Sequence, residues 1–309
     1  MKSGAGRCKV LVFGSLNMDL VVCVPRMPQP GETLSAHGFF SNPGGKGANQ
    51  AVACARQGGQ VRLVGRVGED GFGSQLRAAV LAQGIDADSV AATPGVGTGV
   101  AVIMVDDSAQ NCIAVAPGAN ASVAVADAEA MRPWLSEAGL LLLQLEVPMA
   151  AVLHAAVLAK EAGVAVLLNP APAQALPESL WPLLDILVLN ETEAQLLGGL
   201  PSVDLGNAAE AAELLARRGP RHVLVTLGAQ GLVWASAAGN KHFPAHQVQA
   251  VDTTGAGDTF IGAFSALLAE GCAMEQALAH AMCAAAICVT RPGAQASMPL
   301  RAEVERLLR

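Results

Sequence analysis

Two aspartates, Asp252 and Asp258, stand on either side of a Gly-Ala-Gly turn in the stretch VDTTGAGDTF (251–260), just ahead of an apolar run. A helix starting at such a turn presents bare backbone N–H groups, and those of Gly255, Ala256 and Gly257 would form a seat for an anion such as phosphate. A first-turn carboxylate has an ordinary use as a helix cap. At position 258 a cap would compete with the anion for the same amides. In the other reading Asp258 takes the proton of an attacking hydroxyl while the amides hold a phosphoryl group in transfer.

Five further stretches carry groups suited to the same chemistry. NPGGKGANQAV (42–52) gathers Gly44, Gly45, Lys46 and Asn49 at a helix start. It does not fit the phosphate-loop spacing G-x-x-x-x-G-K-[ST], because Phe40 and Gly47 occupy failing positions, and no G-x-G-x-x-G follows the first strand. A polyol site suits it better than a dinucleotide fold; alternatively Asn49 is an ordinary first-turn residue. In SLNMDL, Asn17 and Asp19 share one face of an extended segment and can hold vicinal hydroxyls, or form a turn pair. Gln144 and Glu146 end the apolar run LLLLQLEVP, as binding groups or as a solvated strand end. In VLNETEAQLLGG, Asn190 and Glu193 have the spacing of a capping box, and also suit a hydrated Mg²⁺ with nucleotide phosphates. VTLGAQG places Thr226 and Gly228 at a glycine turn that could line phosphates.

These groups need a scaffold that brings strand ends together. KVLVFG (9–14) reads as a strand buried on both faces. From GANQAVACARQGG onward, helical and strand patterns alternate. Strands are expected at VRLVGRVG, AGLLLLQLE, VAVLLNP, DILVLN and HVLVTLG, with helices near 72–83, 149–161 and from Glu191, and an Ala-rich helical half after Gly257. HFPAHQVQAVDTT also reads as strand-like. The alternation predicts an α/β fold with a mostly parallel sheet and helices on both faces, and ligands at the carboxyl ends of its strands. Four β-rich stretches near 18–25, 33–42, 98–106 and 111–117 read as a small separate sheet inserted into this single domain, the last two as a hairpin.

Composition narrows the function classes. The chain has 309 residues and a net charge of -7, which disfavours a general grip on nucleic acid or anionic membrane. It has no tyrosine, so tyrosine chemistry is excluded, and no apolar stretch reads as a membrane span or signal peptide. The seven cysteines, Cys8, Cys23, Cys54, Cys112, Cys272, Cys283 and Cys288, form no C-x-x-C pair. They read as small buried residues of a protein kept in a reducing cytosol. His37, His154, His222, His242, His246 and His280 lack ligand spacing and read as structural or surface residues.

With GGKGANQAVACARQGG near one end and DTTGAGDTFIGAF near the other, and SLNMDLV, LLQLE, NETE and TLGAQG in order between them, the chain resembles the ribokinase (PfkB-type) carbohydrate kinase family over nearly its full length. The resemblance implies a three-layer α/β sandwich whose small sheet is a lid over the sugar, with the lids of two subunits clasping in a homodimer. It implies phosphorylation of D-ribose at its 5-hydroxyl by ATP with Mg²⁺. On this chain it assigns ribose to Asn17, Asp19, Gly45, Lys46, Asn49 and Glu146, and the base to Asp258. It assigns ATP to Asn190, Thr226, Gly228, Gly231 and Gly257, with Glu193 ordering the waters of Mg²⁺, and places Met282 beside adenine. A monovalent cation, usually K⁺, is implied at Asp252 and Thr254 with the carbonyls of Cys288, Arg291 and Gly293 and the side of Ser297. Lys46 with Glu146 favours a small polar sugar over a bulky base; kinases for deoxyribose, a ketohexose or a nucleoside, and a non-catalytic sugar or nucleotide sensor, are the alternatives.

Overall fold

The computed structural model describes residues 9–108 and 110–308. Strand β1 (Lys9–Phe13) is central in a 9-stranded sheet and is followed by β2 (Asn17–Val24) and β3 (Gly38–Gly44) of a separate 4-stranded sheet. Helix α1 (Lys46–Arg56), β4 (Gln60–Gly68), α2 (Gly71–Ala82) and β5 (Val90–Thr93) return to the large sheet, and β6 (Gly99–Asp106) with β7 (Asn111–Ala116) completes the small one. Next come α3 (Val125–Ala130), β8 (Ala138–Leu143), α4 (Met149–Glu161), β9 (Ala165–Leu168), β10 (Ile186–Asn190), α5 (Glu191–Gly198), α6 (Ala208–Ala216) and β11 (His222–Thr226). The chain ends with the pair β12 (Leu232–Ser236) and β13 (Gly239–Phe243), then α7 (Ala256–Ala269), α8 (Met274–Cys288) and α9 (Arg301–Leu307).

The large sheet runs β13-β12-β11-β10-β9-β8-β1-β4-β5, parallel throughout except for β12, which is antiparallel to both β11 and β13. Its central strands are apolar on both faces because each face is covered. Leu11, Phe13, Leu141, Leu143, Leu187 and Leu189 pack into one core with α4 and α6. Val10, Val12, Leu140, Leu142, Ile186 and Val188 point the other way, into a core with α1, α7 and α8. Successive side chains alternate across a strand, so one run such as LLLL feeds both layers.

Two expected strands are shorter than the sequence suggested. β13 stops at Phe243, which pairs with Leu232, the first residue of β12. Pro244 lacks an N–H and has no partner strand to reach, so 244–250 form no regular element. β3 begins at Gly38, not near 33, because its partner β2 gives out at Cys23 and Val24 ahead of Pro25. β5 and β12, both short and near the edge, were not anticipated. Among the described residues no helix is long and apolar enough to cross a membrane.

The cysteines are less uniform than expected. Cys54, Cys283 and Cys288 are buried, Cys23 and Cys272 partly exposed, and Cys112, on the open strand β7, exposed. Cys8 lies outside the described residues.

Candidate active site

Because β1, β8, β9, β10 and β11 are parallel, their carboxyl ends lie along one edge of the sheet. That edge carries the segment from Ser15 to Asn17, then Gln144 and Glu146, then Asn169, Asn190 and Thr226. Helices α1 and α7 pack side by side below it and point their amino ends at it. The fold therefore gathers residues that sequence separates by more than two hundred positions.

Asp258 is not a cap. Helix α7 starts at Gly255 with no side-chain cap bond. The Asp258 carboxylate, 8% exposed, instead accepts hydrogen bonds from Asn49 Nδ2 at 3.0 Å and Gln50 Nε2 at 2.9 Å, both on α1. Gly255 takes φ 75°, a left-handed conformation, and a Cβ there would lie 3.1 Å from the Ala294 Cα. Both facts require glycine. Of the three turn amides, that of Ala256 donates to the Thr253 carbonyl at 3.2 Å, so Gly255 and Gly257 are the ones left for an incoming anion. A Cβ at Gly257 would meet nothing within 4 Å.

A second cluster lies between β2 and α1. Asn17 and Asp19 open strand β2 and are not a turn pair. Asn17 is buried, its Oδ1 accepting from Asn120 Nδ2 at 2.7 Å, and Asn120 also brackets the Leu16 backbone through both its amide atoms. Glu146 is no solvated strand end: it accepts from the Ser15 hydroxyl and, at 3.0 Å, from the Lys46 N–H. Gly45 holds φ 87°, and a Cβ there would sit 2.7 Å from the Asn17 N, so glycine lets α1 start against this loop.

Charge is concentrated here. Burial, then the carboxylates of Glu146 and Asp258, push the Asp19 carboxyl up to about 7. Asp258 raises the Lys46 ammonium above its ordinary value, against burial, with Glu146 and Glu193 adding to it. One lysine thus faces carboxylates from β10–α5, β8 and α7.

Two adjoining cavities extend from Asp258. One of about 220 Å³ is lined by Lys46, Asn190, Glu193, Gly255, Gly257 and Asp258, among others. The next, about 310 Å³, shares Thr226, Gly257 and Phe260 with it and adds Gly228, Gly231, Ala256 and Met282. Met282, Ala285, Ala286 and Val289 form one face of α8 toward it, at helical spacing, and the alanines leave room for a flat group. His246 also lines this cavity, from the irregular 244–250 segment, where nothing in the sequence marked it. Asn17, Asp19, Gly45, Asn49 and Glu146 are not in either wall; Asn49 and Glu146 are tied to it by hydrogen bonds to Asp258 and from the Lys46 N–H.

Asn190 and Glu193 do form the capping box: the Asn190 side chain accepts from the Glu193 N–H at 2.9 Å, and Glu193 accepts from the Asn190 N–H at 3.0 Å. Glu193 is nevertheless buried against the cavity, and burial pushes its carboxyl up despite the Asn190 N–H and Lys46. An acidic group facing a phosphate-sized space fits a hydrated Mg²⁺.

Behind the turn, Asp252 ties two loops together. Its Oδ1 accepts from the Thr254 N–H at 2.9 Å and its Oδ2 from the Gly293 N–H at 2.8 Å. Burial alone would raise this carboxyl, but the Thr254 hydroxyl, then the Thr254 and Gly293 N–H groups, outweigh it and hold Asp252 below the usual range. Ser297, fully buried, donates to the Ala294 carbonyl at 2.7 Å and lies 3.0 Å from Cys288 Sγ; the Cys288 carbonyl accepts from the Arg291 N–H at 3.1 Å. Asp252 thus brings a carboxylate held in its charged form to the turn and to the 288–297 loop, a charge that a monovalent cation would need. Among the described residues no three His, Cys, Asp or Glu side chains group as a metal site.

The sequence pattern of the pfkB family carbohydrate kinases matches residues 7–301. A ribokinase of Haemophilus influenzae is 40% identical over 302 residues, 98% of this chain and 99% of the relative. A deoxyribokinase of Salmonella typhi is 38% identical over 291 residues, 94% of this chain and 95% of the relative. Among solved structures, an Arabidopsis thaliana ribokinase complexed with ribose and ATP has a TM-score of 0.92 at 36% identity, covering 97% of this chain and 98% of that one.

Proposed function

The chain belongs to the pfkB family of carbohydrate kinases, and from that premise we propose that it is an ATP-dependent ribokinase, moving the γ-phosphoryl group of ATP to the 5-hydroxyl of D-ribose. The observation that carries this reading is the seat of Asp258. A buried carboxylate, held by two amides, opens on a cavity shared with Lys46 and with the glycine-rich start of α7.

In this reading Asn17, Asp19, Asn49 and Glu146 hold the ribose hydroxyls, with the Gly45 backbone and Lys46 closing the ring of polar groups. Asp258 accepts the 5-hydroxyl proton as that oxygen forms its bond to the γ-phosphorus and the bond to ADP breaks. The Gly255 and Gly257 amides, with Ala256 between them, hold the phosphoryl oxygens. Asn190, Thr226, Gly228 and Gly231 line the phosphates and Met282 packs on the base. Mg²⁺ bound with the nucleotide supplies charge neutralisation on the phosphates, and Glu193 with Asn190 would hold it through water. Asp252, Thr254, Ser297 and the carbonyls of Cys288, Arg291 and Gly293 would hold a monovalent cation, K⁺, whose positive charge sits behind the anion seat.

The small sheet supports a homodimer. Phe40, Ile113 and Val115 are exposed on one face of it, and Phe39 and Val102 on the other. An apolar patch on an open sheet calls for a partner, and a second copy of the same sheet matches it. The six described cysteines are all free, in keeping with a cytoplasmic enzyme.

ADP release with D-ribose, 2-deoxy-D-ribose, D-fructose and adenosine, each with and without K⁺, tests the reading. D-ribose should give the highest kcat/KM, and K⁺ should raise it. A preference for 2-deoxy-D-ribose or adenosine would overturn the substrate, and calorimetric ribose binding without turnover would make the protein a sensor.

A further inference from the structure

Gln50 has no role in the reading above, yet it is the most constrained side chain near the reaction. It is fully buried, and all three of its amide hydrogen-bonding groups are used. Nε2 donates to Asp258 Oδ1 at 2.9 Å and to Asn169 Oδ1 at 3.1 Å, while Oε1 accepts from Gln144 Nε2 at 2.7 Å. The orientation of this chain of amides is fixed at one end by backbone. Asn169 Nδ2 donates to the Val188 carbonyl at 3.1 Å, so Asn169 must turn its oxygen toward Gln50, and Gln50 must turn its NH₂ toward both Asn169 and Asp258.

The backbone is arranged for the same contact. Gly262 lies one turn beyond Asp258 on α7, and a Cβ there would come 2.5 Å from the Gln50 carbonyl oxygen and 2.4 Å from the Ala53 Cβ. Only glycine allows α7 this close to α1. The ends of β8, β9 and β10 thus converge, through Gln144, Asn169 and Val188, on a single carboxylate. Gln50 does not line the cavity, and its amide is taken up by Asp258, Asn169 and Gln144.

We propose that Gln50 is a positioning residue for phosphoryl transfer: it fixes the orientation of the Asp258 carboxylate, pinning Oδ1 while Asn49 pins Oδ2, so that the free lone pairs face the sugar hydroxyl. This rests on Asp258 being the base. Reacting groups held in a near-attack geometry gain far more in rate than in binding, so the residue should act on kcat and leave ribose affinity alone.

The test is Gln50→Leu, with kcat, the KM values and the calorimetric ribose Kd measured. A loss in kcat of about 10- to 100-fold is expected, with ribose Kd and ATP KM within about threefold of the parent. Lys46 on α1, Glu146 after β8, Glu193 on α5 and Asp19 on β2, the charged groups acting on the same site, are unchanged by the substitution. Gln50→Glu keeps the shape and serves if Gln50→Leu does not fold; its added carboxylate should cost more activity at about pH 8 than at about pH 6. A folded Gln50→Leu with kcat within about threefold of the parent, or an equal loss of ribose affinity, overturns the proposal. Asp258→Asn run alongside separates the cases: if it is inactive and Gln50→Leu is not impaired, only the role of Gln50 fails.

Discussion

Gln295 Nε2 donates to Asn49 Oδ1 at 3.0 Å, joining the loop that carries Gly293 and Ser297 to the amide that holds Asp258. The same loop is anchored on α1 by Arg56, which donates to the Met298 carbonyl at 2.8 Å. A change in the loop around Asp252 therefore reaches Asn49 through one side chain. Gln295→Ala is expected to raise the ribose KM by about three- to tenfold, as for a lost hydrogen bond to a binding amide, and to flatten its dependence on K⁺. Ribose titrations with and without K⁺, on the parent and the variant, check both effects.

Asp19 should make sugar binding sensitive to pH near neutrality. Its carboxyl is pushed up to about 7 by burial, Glu146 and Asp258. The ionised form is the one that accepts two hydroxyl hydrogen bonds, so ribose should bind more tightly as pH rises from about 6 to 8, releasing a proton. Stability has the opposite sign. A carboxyl raised in the folded state contributes stability that is full below its ordinary value and is lost as pH rises toward about 7. Calorimetric Kd values and melting curves against pH should both lose these slopes in Asp19→Asn.

Gly257 and Gly45 should fail in different ways. Nothing lies within 4 Å of a Cβ at Gly257, so Gly257→Ala should melt near the parent temperature while the methyl group intrudes on the anion seat. Its kcat/KM for ATP should fall by about 10²- to 10³-fold, comparable to losing one transition-state donor. Gly45→Ala puts a Cβ 2.7 Å from the Asn17 N at a left-handed φ, and should cost about 2–4 kcal/mol in denaturant unfolding.

The exposed residues of the small sheet should decide the oligomer. Phe40→Asp together with Ile113→Asp places charge on the one face that carries both side chains. Sedimentation is expected to show a dimer for the parent and a monomer for the variant, with a weaker ribose KM because the lid loses its partner.

What the sequence made legible was local. The parallel core strands could be read because burial on both faces leaves runs such as VLVF and LLLL, and the turn before α7 because glycines and a carboxylate fall within one helical turn. Asn49, Lys46 and Glu146 could be singled out by their short-range company. Gln50 carries no signal of its own, although it follows Asn49 directly, since its meaning comes from Asp258 at a separation of 208 residues. Asn120 and Gln295 act across 103 and 246 residues and carry no local signal at all. The Asn190 and Glu193 pair shows the reverse case: the capping box was one of two readings, and the fold forms it while also burying Glu193 beside the cavity. The irregular segment with His246 follows from the early end of β13, which depends on where β12 begins.

The most direct measurement is ribose-dependent ATP turnover by Asp258→Asn, alongside ribose binding by calorimetry. Loss of a positioned base should lower kcat by roughly 10²- to 10⁴-fold while the folded protein still binds ribose. Turnover within about tenfold of the parent would mean that the carboxylate at 258 does not handle the proton, and the kinase mechanism built on it would be wrong.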